Sequence, residues 1–330
     1  MTEALVTPDK PRQPGRIEQI LAYIAWPALV ISSASILAFG FSSGLPAYLE
    51  PAGRWLLMKC SLDPVTLSKV WFFNLSYIWM IILLLLLERR WPWRRAWQRS
   101  DGQLPADLAH TLLDKGSVQM TIILLSALPF FAHRGDGWVG TLPLAVQVVI
   151  GMVAAEFGLY WAHRLSHEWP IFWRFHAIHH SVRRLWIANT GRFHFIDSNI
   201  SVVASLPFML MTGISMDAII WVSAITAYLG LLTHCNVAMR GGWLDYLFNT
   251  PNLHRWHHSP DPAEGNSNYG QNLVLWDQIF GTWLHRPDSE LGEIGIDERM
   301  PRRFWQQLMV PFVWARFQRE SATADTTTLV

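Results

Sequence analysis

A run of about 20 apolar residues from Ser68 to Leu87 constrains the fold of this chain more than any other feature. An α-helix of that length is roughly 30 Å long, which is enough to cross a lipid bilayer. The run ends abruptly at the sequence ERRWPWRR, residues 88–95. Arg and Trp are typical of the level where a membrane helix meets the lipid headgroups. We therefore predict a membrane-spanning helix here.

Four further segments are apolar enough to enter a membrane. They cover residues 18–41, 117–131, 142–162 and 200–232. The second of these is short, and the last is too long for one span and carries a polar break at residues 212–217. That break favours a re-entrant hairpin of two shorter helices. The predicted fold is therefore an all-α polytopic membrane bundle with four spans, a hairpin and a histidine-rich helical cap.

The distribution of basic residues indicates how the bundle is oriented. If the N-terminus lies inside, 22 of the 26 Lys and Arg residues fall on the inner side of the membrane. Cytoplasmic loops of membrane proteins carry this excess of positive charge. We therefore expect an integral, multi-pass protein whose N-terminus and histidine-rich cap are cytoplasmic.

The polar ends of the chain bound one membrane domain. Residues 1–16 lack the short apolar core and cleavage site of a signal peptide, so we expect a disordered tail there. Residues 320–330 are expected to form a flexible C-terminal tail. Residues 17–319 then form a single domain, with a histidine-rich core at 142–286.

Overall composition excludes several classes of function. The chain is 51% hydrophobic and only 15% charged, whereas soluble proteins contain about 25% charged residues. The net charge of +1 excludes a nucleic-acid binder that relies on bulk positive charge. Two cysteines, Cys60 and Cys235, are too few for a disulfide framework or a thiolate metal site. The predicted topology places these two cysteines on opposite sides of the membrane, so we expect no disulfide between them.

Eleven of the 13 histidines lie between residues 163 and 285, on the predicted cytoplasmic side. Most of them form three groups with helical spacing, namely His163 with His167, His176 with His179 and His180, and His254 with His257 and His258. Residues three or four apart on a helix are neighbours, so two imidazoles of one turn can share a metal ion. Eight imidazoles exceed what one ion binds, which favours two ions.

Two more histidines are candidate ligands, and three others are expected to be ordinary. His234 ends the last apolar segment, and His194 lies in the sequence RFHFID. The remaining three, His110, His133 and His285, have no ligand partner at helical spacing.

The ordered motifs HRLSHE, WRFHAIHHS, TGRFHFID and LHRWHHSP, followed by NYGQNLVLWDQIFGTW, resemble the fatty acid hydroxylase/sterol desaturase superfamily over about residues 142–286. The resemblance implies a membrane-embedded non-haem di-iron oxygenase that uses O2 as co-substrate. It also implies that the histidines of the three groups, together with His234, are the metal ligands. Phe195 stands where the family usually has proline after His194, which leaves the position of the His194 ring open.

The implied reaction requires a redox metal and acceptor groups that orient its histidine ligands. Removing hydrogen from an unactivated C–H bond needs an oxidant that side chains cannot supply, so a redox metal must act. Metal-bound histidines usually donate their second N–H to an acceptor such as a carboxylate. The candidate acids are Glu156, Asp197 and Asp245, with Asp277 as a further one.

The sequence also indicates which partners the protein needs. The site follows apolar helices and no phosphate-binding glycine loop is present, so the substrate is expected to be an apolar lipid such as a sterol, fatty acyl chain, ether lipid or carotenoid. The chain has no cysteine cluster and no GxGxxG motif, so electrons should come from a separate donor protein of the ferredoxin or cytochrome b5 type.

We therefore expect an iron- and O2-dependent enzyme that hydroxylates or desaturates a lipid C–H bond. Two alternatives stay open at this point. A membrane zinc hydrolase could use the same histidines, because zinc also binds imidazole. A non-enzymatic lipid- or metal-binding protein could use them to hold its fold. Metal identity and oxygen consumption distinguish the enzymes, and the effect of His257→Ala on product formation tests the third possibility.

Overall fold

A computed structural model describes residues 16–43, 64–126, 137–287 and 289–327 of the chain. Within these residues the fold is helical and contains no β-strand, only two isolated bridges. The α-helices are α1 (Arg16–Ser43), α2 (Pro64–Arg90), α3 (Leu104–Ser126), α4 (Leu144–Glu168), α5 (Pro170–His180), α6 (Phe195–Met211), α7 (Met216–His234), α8 (Pro251–His257), α9 (Pro262–Gly265), α10 (Leu275–Phe280), α11 (Phe304–Met309) and α12 (Trp314–Thr327). The predicted all-α class is confirmed.

Four of these helices are long and apolar enough to cross a membrane. They contain the stretches Ile20–Gly40, Phe72–Arg90, Leu144–Glu168 and Met216–His234. The predicted segment at 117–131 is not among them. It forms the second half of α3 up to Ser126, and its residues 127–131 lie outside the described part of the chain. The fourth spanning candidate is instead α7, the second arm of the predicted hairpin.

The break within the last apolar segment lies where the sequence predicts it. Helix α6 ends at Met211 and α7 begins at Met216. Gly213 between them has a φ of 71°, a left-handed conformation that glycine adopts without steric cost. The Ser215 side chain accepts a hydrogen bond from the backbone of Ala218 and so caps the start of α7.

Helix α4 is central to the bundle, because it packs against α5, α6 and α7. It lies very close to α6 at Gly158, where an added Cβ would lie 2.2 Å from the carbonyl oxygen of Ala204. Glycine therefore lets the two backbones touch, as small residues commonly do between membrane helices. Buried residues of α4, α6 and α7, such as Ala155, Met209 and Val222, form the core on this side.

Helices α1 and α2 present mostly apolar side chains to the surroundings. Only 28% of the spanning stretch of α1 and 22% of that of α2 is buried inside the protein. Large apolar side chains such as Ile31 and Phe39 in α1, and Ile78 and Leu86 in α2, are exposed. An apolar surface of this extent is stable in lipid rather than in water. The protein is therefore an integral membrane protein.

Helices α5 and α8 carry histidine motifs and, with the segments around them, form the cap. Buried polar contacts attach this cap to one end of the bundle. The Glu88 carboxylate, at the end of α2, accepts hydrogen bonds from the backbone N–H groups of Ile187 at 2.8 Å and Asn236 at 2.7 Å. The buried Arg255 of α8 donates to the carbonyl oxygens of Cys235 and Val237, at the end of α7. These bonds hold the histidine-bearing cap against the ends of α2 and α7.

The chain ends and the cysteines are described only in part. Helix α1 begins at Arg16, and residues 1–15 lie outside the described part of the chain. Helix α12 continues to Thr327, so the chain stays helical beyond residue 320, where the sequence suggests a flexible tail. Cys235 is buried and free, whereas Cys60 and His133 lie outside the described residues.

Candidate metal centre

Nine histidines converge into two adjoining groups at the cap end of the bundle. In each group, one nitrogen of every ring lies within 4.8 Å of those of the others. The five-histidine group consists of His163, His167, His176, His180 and His257, and the four-histidine group consists of His179, His234, His254 and His258. The rings of His180 and His258 stack between the groups with centroids 4.4 Å apart. The predicted convergence of distant chain segments is therefore observed.

Adjacent histidines of one motif enter different groups. In α5, His176 and His180 lie on one face and join the five-histidine group, whereas His179 points into the other. The last motif reverses this pattern, because His254 and His258 join the four-histidine group and His257 the five-histidine group. Neighbouring residues on a helix are about 100° apart, so an HH pair at the junction can serve both groups. Two histidines of one helical turn therefore share a group, and the third histidine of each motif belongs to the other group.

Hydrogen bonds at the outer nitrogens orient several ligand rings. Nδ1 of His163 lies 2.6 Å from the carbonyl oxygen of Tyr269, and Nδ1 of His257 lies 2.7 Å from that of Ser267. A carbonyl oxygen only accepts, so these Nδ1 atoms carry the proton and Nε2 presents a lone pair. Such outer partners usually accompany histidines that bind metal.

Facing lone pairs within the groups match the chemistry of a metal site. Nε2 of His163 lies 3.0 Å from Nε2 of His176, whose Nδ1 is bonded to the Asp197 carboxylate. Nε2 atoms of His179 and His234 are 3.2 Å apart, and their Nδ1 atoms face the carbonyl oxygens of Arg192 and Gly230. Two unprotonated nitrogens at this distance repel each other unless a cation lies between them. The donor set therefore fits bound transition-metal ions, for which imidazole is a suitable ligand.

Burial keeps the cap histidines neutral. Desolvation, reinforced by neighbouring imidazoles, lowers the pKa of these rings well below the usual 6.5, and this holds for His179, His180, His254, His257 and His258. A ligand imidazole must be unprotonated. The fold thus presents its ligands in the protonation state that metal binding requires.

Three of the four candidate acids are connected to the five-histidine group, one directly and two through the backbone. Asp197 is the direct partner, since its Oδ2 lies 2.8 Å from Nδ1 of His176. Asp277 accepts hydrogen bonds at 2.8 Å from the backbone N–H groups of Tyr269 and Gly270. Glu156 accepts from the backbone of Asn272 at 3.0 Å and from its side chain at 2.8 Å. Glu156 and Asp277 therefore act at one remove, by fixing the turn whose Tyr269 carbonyl orients His163.

The structure does not bring Asp245 or His194 into the site. The Asp245 carboxylate accepts a hydrogen bond from the Thr250 hydroxyl and lies 3.3 Å from Nε2 of His285. It therefore braces the start of α8 and contacts no ligand ring among the described residues. His194 caps the start of α6, because its Nδ1 accepts from the N–H of Ile196, and its Nε2 lies 3.3 Å from the carbonyl oxygen of Leu308. Its ring is used by these two contacts and joins neither group.

Some groups that shape the site are not visible as ligand motifs. Tyr269 and Ser267 act through backbone carbonyls, which carry no sequence signature of their own. The ring of Phe193 stacks on His179 with centroids 4.0 Å apart. His110 is buried and bonded to the Phe193 carbonyl and the Gln307 side chain, which agrees with its expected ordinary role.

Similar proteins show which family this chain belongs to. Residues 148–282 match the family model described as fatty acid hydroxylase. The chain is also 40% identical over 306 residues to ornithine lipid hydroxylase OlsE of Rhizobium tropici, a match that covers 90% of this chain and 86% of that protein. The chain belongs to the fatty acid hydroxylase family. As a member of this family it is an oxygen-dependent oxidoreductase that acts on lipids.

Two further relatives match shorter stretches of this fatty acid hydroxylase family member. An alkylglycerol monooxygenase of Xenopus tropicalis is 32% identical over 142 residues, which is 42% of this chain and 30% of that protein. A Delta(7)-sterol 5(6)-desaturase of Gibberella zeae is 29% identical over 187 residues, which is 52% of this chain and 55% of that protein. No solved structure gives a significant match. The relatives confirm the superfamily that the histidine motifs indicate.

Proposed function

We propose that this protein is a membrane-bound di-iron hydroxylase whose substrate is an acyl lipid of the ornithine-lipid class. One observation carries the metal assignment, namely the two adjoining histidine groups with facing, unprotonated Nε2 atoms. The substrate class is supported by the similarity to the ornithine lipid hydroxylase of Rhizobium tropici, which extends over 90% of this chain. We assign one iron to each group.

The residues of the chain perform the supporting roles in this reaction. When bound, iron supplies the redox chemistry with O2 that breaks an unactivated C–H bond. Asp197 and the Tyr269 carbonyl hold the rings of His176 and His163 in one orientation. Burial of the groups keeps the ligands neutral. The acids around the ligands therefore hold them in place and do not themselves react.

Electrons and protons balance as in other monooxygenases. One oxygen atom of O2 enters the C–H bond, and two electrons with two protons reduce the other to water. We assign the electrons to a separate donor protein of the ferredoxin or cytochrome b5 type, because this sequence has no cysteine cluster or nucleotide-binding loop. We further propose that the N-terminus and cap are cytoplasmic and that α6 and α7 form a re-entrant hairpin, as the excess of inward Lys and Arg favours.

Isotope labelling tests the reaction. The purified protein, reconstituted with iron and a donor system, is incubated with an ornithine lipid under 18O2. We expect a product that contains one 18O atom and a metal content of two iron ions per chain. His257→Ala should lower iron content and product together, whereas His285→Ala, outside both groups, is the matched control.

Other outcomes would overturn the proposal in distinguishable ways. A product that lacks two hydrogens and contains no 18O would make the enzyme a desaturase. Two zinc ions with full activity in anaerobic buffer would support the hydrolase alternative. Unchanged product formation in His257→Ala would exclude catalysis at these histidines.

A further inference from the structure

A cavity of about 800 Å³ opens onto the five-histidine group from the cap. His167, His180 and His257 line it, whereas no residue of the four-histidine group does. Trp173 forms part of its wall, with ring centroids 5.3 Å from His167 and 5.6 Å from His180. The volume is in the range of ligand pockets. A substrate bound here would therefore reach one metal group and not the other.

The opposite wall of this cap pocket comes from residues 295–318. This segment lies outside residues 148–282, which match the family model and contain all nine histidines of the two groups. It is firmly attached, because Ile296, Val310, Trp314 and Phe317 pack on Ala177 of α5. The shared core thus supplies the ligands, and a segment beyond the matched region shapes access to them.

Hydrogen bonds fix the position of the same segment. The backbone N–H of Gly295 donates to the carbonyl oxygen of His258 at 3.1 Å. Gln307 is fully buried and donates to the side chain of Gln103 at 2.9 Å and to the carbonyl oxygen of Pro301 at 2.7 Å. Leu308 is held through its carbonyl by His194. The pocket wall is therefore a built part of the fold and has a defined shape.

Four charged residues line the pocket, namely Arg174, Asp297, Glu298 and Arg316. Asp297 and Arg316 are exposed, and Arg316 pairs with Glu320 at 2.7 Å. The two half-buried charges, Arg174 and Glu298, have no partner of opposite charge among the described residues. Arg174 of α5 makes no hydrogen bond or ion pair within the described residues, and its Nε is sealed from solvent. The Glu298 carboxylate on the opposite wall is half-buried, and its one partner within the described part of the chain is the neutral side chain of Gln318, which donates to it at 3.0 Å. A buried donor without an acceptor is costly, so Arg174 is suited to an anionic oxygen of a ligand.

We propose that the cap pocket binds the polar headgroup of a zwitterionic lipid, with Arg174 contacting its carboxylate and Glu298 its ammonium group. The inference rests on the proposed function and names how the substrate is selected. An ornithine headgroup acylated on one amine keeps one carboxylate and one ammonium group, which matches the two half-buried charges of Arg174 and Glu298. Residues 295–318 are then the specificity-determining wall, and the oxidised carbon lies close to the headgroup.

Binding measurements with paired lipid analogues test the assignment without requiring turnover. Native mass spectrometry in detergent gives the affinity of the zwitterionic ornithine lipid, its methyl ester and its N-acetyl derivative. The wild type should bind the zwitterion about tenfold more tightly than either analogue, because each analogue loses one charge-assisted contact. Arg174→Gln should remove the preference over the methyl ester only, and Glu298→Gln the preference over the N-acetyl form only.

Matched controls separate this effect from a general change in charge or folding. Arg302→Gln and Glu293→Gln alter exposed charges outside the pocket and should bind like the wild type. Arg174→Lys keeps the positive charge and should recover part of the lost affinity. In turnover, loss of headgroup contacts should raise KM about tenfold and leave kcat within about twofold.

Several results would overturn the pocket assignment. Equal affinities of the wild type for all three lipids would exclude recognition of either charge. Displacement of the lipid by millimolar inorganic phosphate would make the pocket a site for small anions. Because binding is measured directly, a wild type that selects the zwitterion but forms no oxidised product would contradict the proposed function alone.

Discussion

Asp197→Asn tests how the chain tunes one metal group independently of the other. Asp197 is buried, and its Oδ2 accepts from Nδ1 of His176 at 2.8 Å, while Oδ1 faces the Ser166 hydroxyl at 3.3 Å. Asparagine retains an oxygen for the imidazole but removes the negative charge. Loss of such an outer carboxylate typically lowers metal affinity about 10- to 100-fold, or roughly 1.4–2.7 kcal/mol. His176 belongs to the five-histidine group only, so the four-histidine group should keep its ion.

The assay is metal analysis of purified protein during titration with a chelator of known affinity. We expect the wild type to release two ions at similar chelator concentrations, whereas Asp197→Asn should release one ion at a chelator concentration about 10- to 100-fold lower. Asp217→Asn, at the hairpin tip, is the matched control and should behave like the wild type. Release of both ions from Asp197→Asn at the wild-type chelator concentration would refute the role of this carboxylate.

Four further perturbations follow from the geometry. Gly158→Ala should destabilise the contact between α4 and α6 by about 1–3 kcal/mol in chemical unfolding, whereas Gly116→Ala, with nothing within 4 Å of the added Cβ, should not. Glu156→Gln keeps one oxygen for the backbone N–H groups of residues 271 and 272 but replaces the acceptor of the Asn272 side-chain amide with a donor, so activity should fall more than metal content. Equal losses would contradict a positioning role. His194→Ala should retain both ions and lower the melting temperature, because the ring makes two hydrogen bonds that alanine lacks. Loss of an ion would show instead that His194 is a ligand. Metal-stripped protein should lose thermal stability as the pH falls below about 6.5. Burial lowers the pKa of the cap histidines, so in this pH range only the unfolded chain takes up protons. A melting temperature that does not change between pH 7.5 and 5.5 would contradict this.

Local composition largely predicts which segments form membrane helices, but it does not predict which of these helices have the length of a span. The break between α6 and α7 follows from Gly213 and the capping Ser215, which act within a few residues. The crossing segment expected at 117–131 is instead the second half of α3, and Met216–His234 has the length of a span. Hydropathy measures the preference of a segment for lipid, but its neighbours in the bundle determine how much of it lies in protein.

Local sequence likewise does not predict which of the candidate acids contacts a ligand. Asp197, Asp245 and Asp277 look equivalent in the sequence, since each is an acid near a histidine or aromatic motif. Only the tertiary fold places Asp197 against His176 and turns Asp245 toward Thr250 and His285. The contacts of Asp197 with His176 and of Asp245 with His285 join residues far apart in the chain, so local spacing does not predict them.

The sequence alone determined that the ligands are imidazoles and that they belong to a membrane protein. Residue type and the length of an apolar segment are properties of the sequence itself. The division of nine histidines into groups of five and four was decided by the tertiary structure. Adjacent rings such as His179 and His180 diverge by the helical rotation of about 100°. Which ring meets which group then depends on where α4, α7 and α8 approach α5, and that approach is set by packing across the whole bundle.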